Sequence, residues 1–158
     1  MVDVLEIATE LVFRLRSEAS ASPKAEICGL LFGDRSRIAG ARACRNVHPE
    51  PARRFEVDPA ALLAAHRAQR EGGPTLIGCY HSHPSGDATP SSTDADAALP
   101  DGSIWLIVTE TAARAWLATA DGPVHGRFDA LGLRVGLRAE DGSVTRASSG
   151  IYPREGSR

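Results

Sequence analysis

Residues 75–94 read TLIGCYHSHPSGDATPSSTD, and the folding of this stretch decides the architecture around it. TLIGCY (75–80) is a short apolar run, which signals a buried strand. It leads directly into His81 and His83. If the strand continues through residue 83, the two imidazoles share a face, about 6–7 Å apart along the chain. Two imidazoles so placed suit one metal ion. Zinc binds imidazole nitrogen at about 2.0–2.1 Å, and catalytic zinc takes three protein ligands with one open position. Asp87, Asp94 and Asp96 are the candidates for the third, and spacing alone does not choose among them. Cys79 shares the face of His81 and offers a thiolate, but a cysteine inside an apolar strand is more commonly a small buried side chain. SSTDADAAL (91–99) opens a short helix, with Ser91 and Asp94 at capping-box spacing. An aspartate in a helix's first turn can still ligate a metal. An exposed polar loop is the competing reading, and His48, His66 and His125 read as ordinary surface or packed histidines.

Outward from this stretch, two apolar runs flank the strand in sequence. EICGLLFGD (26–34) reads as a buried strand entering a hairpin at Gly33-Asp34, with RIAGARACRNV (37–47) as its return. SIWLIVTE (103–110) and ARAWLAT (113–119) are further strands, and a hairpin over 133–147 turns at Asp141-Gly142. Residues 57–73 form a helix with Asp58 as N-cap, Pro59 as first helical residue and Gly72 near its end. Val4, Leu5, Ala8, Leu11, Val12 and Leu15 recur at helical spacing, so residues 3–18 read as an amphipathic helix. The tail from Ser148 reads as frayed. The order predicts one mixed α/β domain whose strands from 103 onward pair antiparallel.

The bulk composition narrows the function. The chain has 158 residues, 42% hydrophobic and 24% charged, with a formal net charge of −2. A chain of this length buries about 68–70% of its unfolded surface and needs no disulfides to hold a core. Arginine is dispersed rather than clustered, which argues against nucleic-acid or anionic-membrane partners. Three cysteines without framework spacing point to a reduced, cytoplasmic setting. No apolar run approaches membrane-spanning length.

HSHPSGDATPSSTD (81–94) resembles the signature of the JAMM (JAB1/MPN/Mov34) metalloproteases: His-x-His-Pro, six residues, Ser, two residues, Asp. His81, His83, Pro84, Ser91 and Asp94 occupy its five positions. The family also carries an upstream glutamate in a context like Glu-x-Cys-Gly-Leu-Leu-x-Gly, which EICGLLFG (26–33) matches. Asn46, Phe55 and Asp58-Pro59 are similar to further family landmarks. The resemblance covers roughly residues 3–128. It implies a JAMM/MPN domain over 1–128, with 129–158 as a C-terminal hairpin and tail of the same domain. The implied fold is α/β, a single mixed, largely antiparallel sheet flanked by helices, and cytidine-deaminase-like.

The resemblance also implies chemistry. His81, His83 and Asp94 would hold Zn2+, with a water in the fourth position. Glu26 would be the general base, passing a proton from that water to the leaving amine. Ser91 would donate to the oxyanion. The implied activity is that of a zinc metallopeptidase or isopeptidase. The chain is short between Asn46 and Phe55 and between Asp94 and Ser103, so it lacks the insertions of the eukaryotic deubiquitinases. It is more similar to small stand-alone bacterial members, some of which trim ubiquitin-like or sulfur-carrier proteins ending in Gly-Gly. The alternative is a non-catalytic MPN-type scaffold, against which the intact motif and Glu26 argue. A zinc deaminase would need His-x-Glu followed by Pro-Cys-x-x-Cys, and no Pro-Cys-x-x-Cys occurs. The oligomeric state is not legible.

Overall fold

The computed structural model describes residues 4–138 and 144–145. The strands are β1 (Val4–Ala8), β2 (Cys28–Gly33), β3 (Arg37–Cys44), β4 (Leu76–Ser82), β5 (Ile104–Val108), β6 (Ala113–Ala118), β7 (Phe128–Arg138) and β8 (Val144–Thr145). The helices are α1 (Thr9–Ser20), α2 (Pro59–Arg70) and α3 (Ser92–Ala97). The strands run β1-β3-β2-β4-β5-β6-β7-β8 across one sheet. The β1–β3, β1–β7 and β4–β5 pairs are parallel. The β2–β3, β2–β4, β5–β6, β6–β7 and β7–β8 pairs are antiparallel. The expected mixed, largely antiparallel sheet therefore forms.

It does not form as an open sheet. β1 pairs with β3 on one side and with β7 on the other, so seven strands close on themselves. Closure leaves no long unpaired edge. The same segment corrects the expected helix over 3–18: Val4–Ala8 is a strand, and the helix begins only at Thr9. Leu5 and Ile7 alternate inward and are almost fully buried, as a period of two requires. Five residues are too few to separate that period from a helical one. The partners of β1, Arg37–Ile38 and Gly132–Gly136, also lie far along the chain.

α1 buries Leu11, Val12, Leu15 and Ala19 on one face. They pack with Leu5, Ile7, Leu31, Ile38, Leu106 and Val108 in the larger core. Each large side chain so buried contributes about 1.5–3 kcal/mol. β5 reads IWLIV and is buried on both faces. Leu106 and Val108 join the larger core, whereas Trp105 and Ile107 pack with Trp116 and Phe128 in a second one.

α2 starts as the sequence predicts: the Asp58 carboxylate accepts from the Ala60 N–H at 3.0 Å, and Pro59 opens the helix. It ends at Arg70, and Gly72 at φ 91° carries the chain away. Gly78 allows a close approach, because a Cβ there would run into the Ile104 carbonyl. β4 and β5 thereby stay in a register that sets His81 opposite Ile107. β7 starts at Phe128, earlier than expected, and its far end pairs with β8 as a hairpin requires. The Asp141-Gly142 turn and the tail from Ser148 lie outside the described residues. Among the described residues, no helix is long and apolar enough to cross a membrane.

Candidate metal centre

β4 ends at Ser82, so His81 is in the strand and His83 is one step beyond it. The chain stays tied to β5 there, since the His83 N–H donates to the Val108 carbonyl at 3.1 Å. The two ring tips meet rather than lying a strand repeat apart. The Nε2 atoms of His81 and His83 lie 3.0 Å from each other.

α3 supplies the third group. The capping box forms as its spacing predicts: Ser91 Oγ accepts from the Asp94 N–H, and Asp94 Oδ2 accepts from the Ser91 N–H, each at 3.0 Å. This box fixes the Asp94 carboxylate at the start of α3. Its Oδ1 lies 3.1 Å from His81 Nε2 and its Oδ2 lies 3.0 Å from His83 Nε2. All three residues are buried. Of the three candidate aspartates, the structure brings only Asp94 to the histidines. Asp87 and Asp96 are exposed, and Cys79 lies outside the converging group. The Ser91 hydroxyl accepts in the box, which leaves its proton free to donate.

The donor set fits a small divalent cation. A tetrahedron of 2.0–2.1 Å bonds has edges of about 3.3–3.4 Å, close to the 3.0–3.1 Å separations of these atoms. His83 Nδ1–H donates to the Asp87 carbonyl at 2.7 Å. This is the outer support that metal-binding histidines commonly have, and loss of the Nε2 proton would leave that nitrogen's lone pair for an ion. His81 Nδ1 has no hydrogen-bond partner and is buried. Packing holds that ring instead: Phe55 stacks on it with centroids 4.2 Å apart and planes 17° from parallel, and Trp105 meets it edge-on at 5.6 Å.

Charge in the group is set by opposing effects. Burial pushes the Asp94 carboxyl up, but the hydrogen bonds from His81 and His83 outweigh it and hold it well below the usual carboxylate range. Burial keeps His81 below the ordinary histidine value. Burial also pulls His83 down, yet its hydrogen bond to Asp94 carries it above that value. A carboxylate buried among imidazoles attracts positive charge, which a divalent ion supplies.

Glu26 comes from the segment just before β2. β2 pairs antiparallel with β4, with Cys28 opposite His81. Continuing that register past the start of β2 sets Glu26 opposite His83. The Ser82 N–H donates to the Ile27 carbonyl at 3.0 Å, and the Ile27 N–H donates to Ser82 Oγ at 2.9 Å. Glu26 is 7% exposed, and its buried Oε1 has no hydrogen-bond partner. Burial raises its carboxyl to about 7, with nearby His83 lowering it and Asp94 raising it.

A groove of about 710 Å³ is lined by Phe55, Val57, Leu62, Leu76, Cys79 and Trp105 among others, and none of His81, His83, Asp94 or Glu26 lines it. Phe55 and Trp105 belong both to this groove and to the packing around His81. The sequence marked Phe55 only as a landmark and did not single out Trp105 or Trp116. The Trp116 indole N–H donates to the Ala88 carbonyl at 3.1 Å, bracing the loop whose Asp87 carbonyl holds His83. Its one sequence signal is a large aromatic in a strand of small residues, ARAWLA.

The sequence matches the family described as prokaryotic homologs of the JAB domain over residues 8–119. It is 37% identical over 94 residues to a desampylase of Haloferax volcanii, spanning 58% of this chain and 68% of that one. It is 36% identical over 91 residues to a probable TtuB-protein conjugate cleaving protease of Thermus thermophilus, spanning 58% of this chain and 61% of that one. A solution structure of a Desulfitobacterium hafniense protein superposes with a TM-score of 0.72 at 23% identity, covering 87% of this chain and 96% of that one. That likeness concerns the fold alone.

Proposed function

This chain belongs to the family of prokaryotic homologs of the JAB domain, and from that premise we propose that it is a zinc-dependent peptidase or isopeptidase acting at the C-terminal tail of a ubiquitin-like or sulfur-carrier protein. The observation that carries this reading is the convergence of His81, His83 and Asp94 beside a buried, unpartnered Glu26 carboxyl. The relatives named for conjugate cleavage and desampylation support the reaction class and the kind of substrate. In this reading the fold is the cytidine-deaminase-like MPN arrangement, and the protein works in the cytoplasm.

His81, His83 and Asp94 hold the ion. When bound, zinc polarises a carbonyl and lowers the pKa of water to about 7. Glu26 takes a proton at Oε1 and returns it to the departing amine. A carboxyl poised near neutrality suits both halves of that task. The Ser91 hydroxyl donates to the oxygen on which charge develops, a contact worth about 3–4 kcal/mol where comparable donors are removed. The groove beside Phe55 and Trp105 takes the extended tail and excludes water from it. A scaffold has no use for a buried carboxyl without a hydrogen-bond partner.

The test is incubation with a ubiquitin-like carrier extended by one residue beyond its terminal Gly-Gly, followed by intact mass. The wild type releases the extra residue. Glu26→Gln retains zinc and loses cleavage. Wild-type turnover in that variant would remove Glu26 from the mechanism.

A further inference from the structure

One side-chain amide ties the loop that carries Phe55 to the segment just before β2 that bears Glu26. Asn46 Nδ2 donates to the Glu26 carbonyl at 2.9 Å and to the Arg54 carbonyl at 3.0 Å. Its Oδ1 accepts from the His48 N–H at 3.1 Å and the Glu56 N–H at 3.0 Å. All four hydrogen-bonding positions of the amide are used. Two of its partners, Arg54 and Glu56, flank Phe55, the ring stacked on His81. Further backbone bonds close the same loop: Glu26 N–H to the Pro51 carbonyl at 2.7 Å, and Val47 N–H to the Glu56 carbonyl at 3.0 Å.

We infer that Asn46 is a positioning residue that sets the place of the Glu26 backbone and, through Phe55, the orientation of the His81 ring. Other contacts share the task, since Glu26 N–H donates to the Pro51 carbonyl and Trp105 meets the His81 ring edge-on, but no hydrogen bond acts at the far end of either side chain. His81 has no hydrogen bond at Nδ1 to fix its ring, and the Glu26 side chain has none at Oε1 to fix its carboxyl. The constraint therefore comes from backbone and packing, and Asn46 joins the two. The inference rests on the metal-peptidase reading above, but part of its test is independent of catalysis.

Asn46→Asp has nearly the same size and keeps the Oδ1 acceptor, but replaces the Nδ2 donor with a second oxygen. It cannot donate to either carbonyl, and its charge faces them. The protein stripped of metal is titrated with Co2+, whose visible absorption reports the ligand geometry and the affinity. Cleavage of the extended carrier is then followed at saturating Zn2+. We expect cobalt affinity to fall about tenfold or more, as when an outer partner of a metal ligand is lost, with an altered cobalt spectrum. We also expect kcat to fall at least tenfold at saturating zinc, because the base is displaced as well. Wild-type cobalt binding together with wild-type kcat would overturn the inference. So would a loss confined to KM, which would assign Asn46 to the groove alone. If Asn46→Asp does not fold, Asn46→Ser carries the same expectations, since a hydroxyl reaches at most one of the two carbonyls. A wild type that binds no cobalt would overturn the metal reading itself.

Discussion

Phe55 lies flat on His81, ring centroids 4.2 Å apart and planes 17° from parallel. The partner of this ring is a histidine whose outward nitrogen has no hydrogen bond, so stacking does the work that an outer carboxylate does elsewhere. An aromatic pair contributes about 0.5–1.5 kcal/mol beyond area burial. Phe55→Leu keeps an apolar side chain and removes the flat face. Zinc affinity, measured by chelator competition, should fall about two- to twelvefold. Unchanged affinity would mean that Trp105 and the strand hold the ring alone.

Trp116 braces the loop that follows His83. Its N–H bond to the Ala88 carbonyl is buried, and the Arg114 guanidinium lies over its ring at 4.5 Å while reaching Thr89 Oγ1 at 3.4 Å. Trp116→Phe leaves the Ala88 carbonyl without its donor, at a cost of about 1–3 kcal/mol in urea unfolding. The loss should appear with weaker zinc binding, because the adjacent Asp87 carbonyl fixes His83. A drop in stability with unchanged zinc affinity would reduce Trp116 to a packing role.

Glu26 predicts a pH dependence for the chelated protein. Burial raises its carboxyl to about 7 from 4.5. Between those values the folded chain keeps a proton that the unfolded chain has released, so rising pH favours unfolding. The stability that Glu26 contributes is complete below pH 4.5 and is lost as pH rises through 7. Gln at this position stays neutral. Urea unfolding of wild type and Glu26→Gln should therefore diverge between pH 4.5 and 7, with the variant increasingly the more stable, and run parallel above. Curves parallel throughout would show that burial of the carboxyl does not raise it.

The parts of the centre differ in how far the sequence exposes them. His81, His83, Ser91 and Asp94 are close in sequence: spacing pairs His81 with His83 and Ser91 with Asp94, but only the family resemblance chooses Asp94 over Asp87 and Asp96 as the third ligand. The meeting of the ring tips was not readable, because it depends on the orientation of the two side chains, which spacing along a strand does not give. Glu26 is a different case. Its approach to His83 depends on β2–β4 pairing, and only the family resemblance singled it out. Sheet closure escaped for a similar reason, since both neighbours of β1 are remote in sequence and its five residues mimic a helical turn. The hydrogen bonds of Asn46 and Trp116 are made to main-chain groups, which carry no side-chain signature at all.

The central claim is that His81, His83 and Asp94 hold one ion on which amide hydrolysis depends. The most direct measurement strips the protein with a chelator, returns Zn2+ in measured steps and follows cleavage of the extended carrier by intact mass. The account predicts no cleavage in the stripped protein and a linear recovery that levels off at one zinc per chain, with no recovery in Asp94→Ala. Undiminished cleavage by the stripped protein, or full recovery in Asp94→Ala, would contradict it.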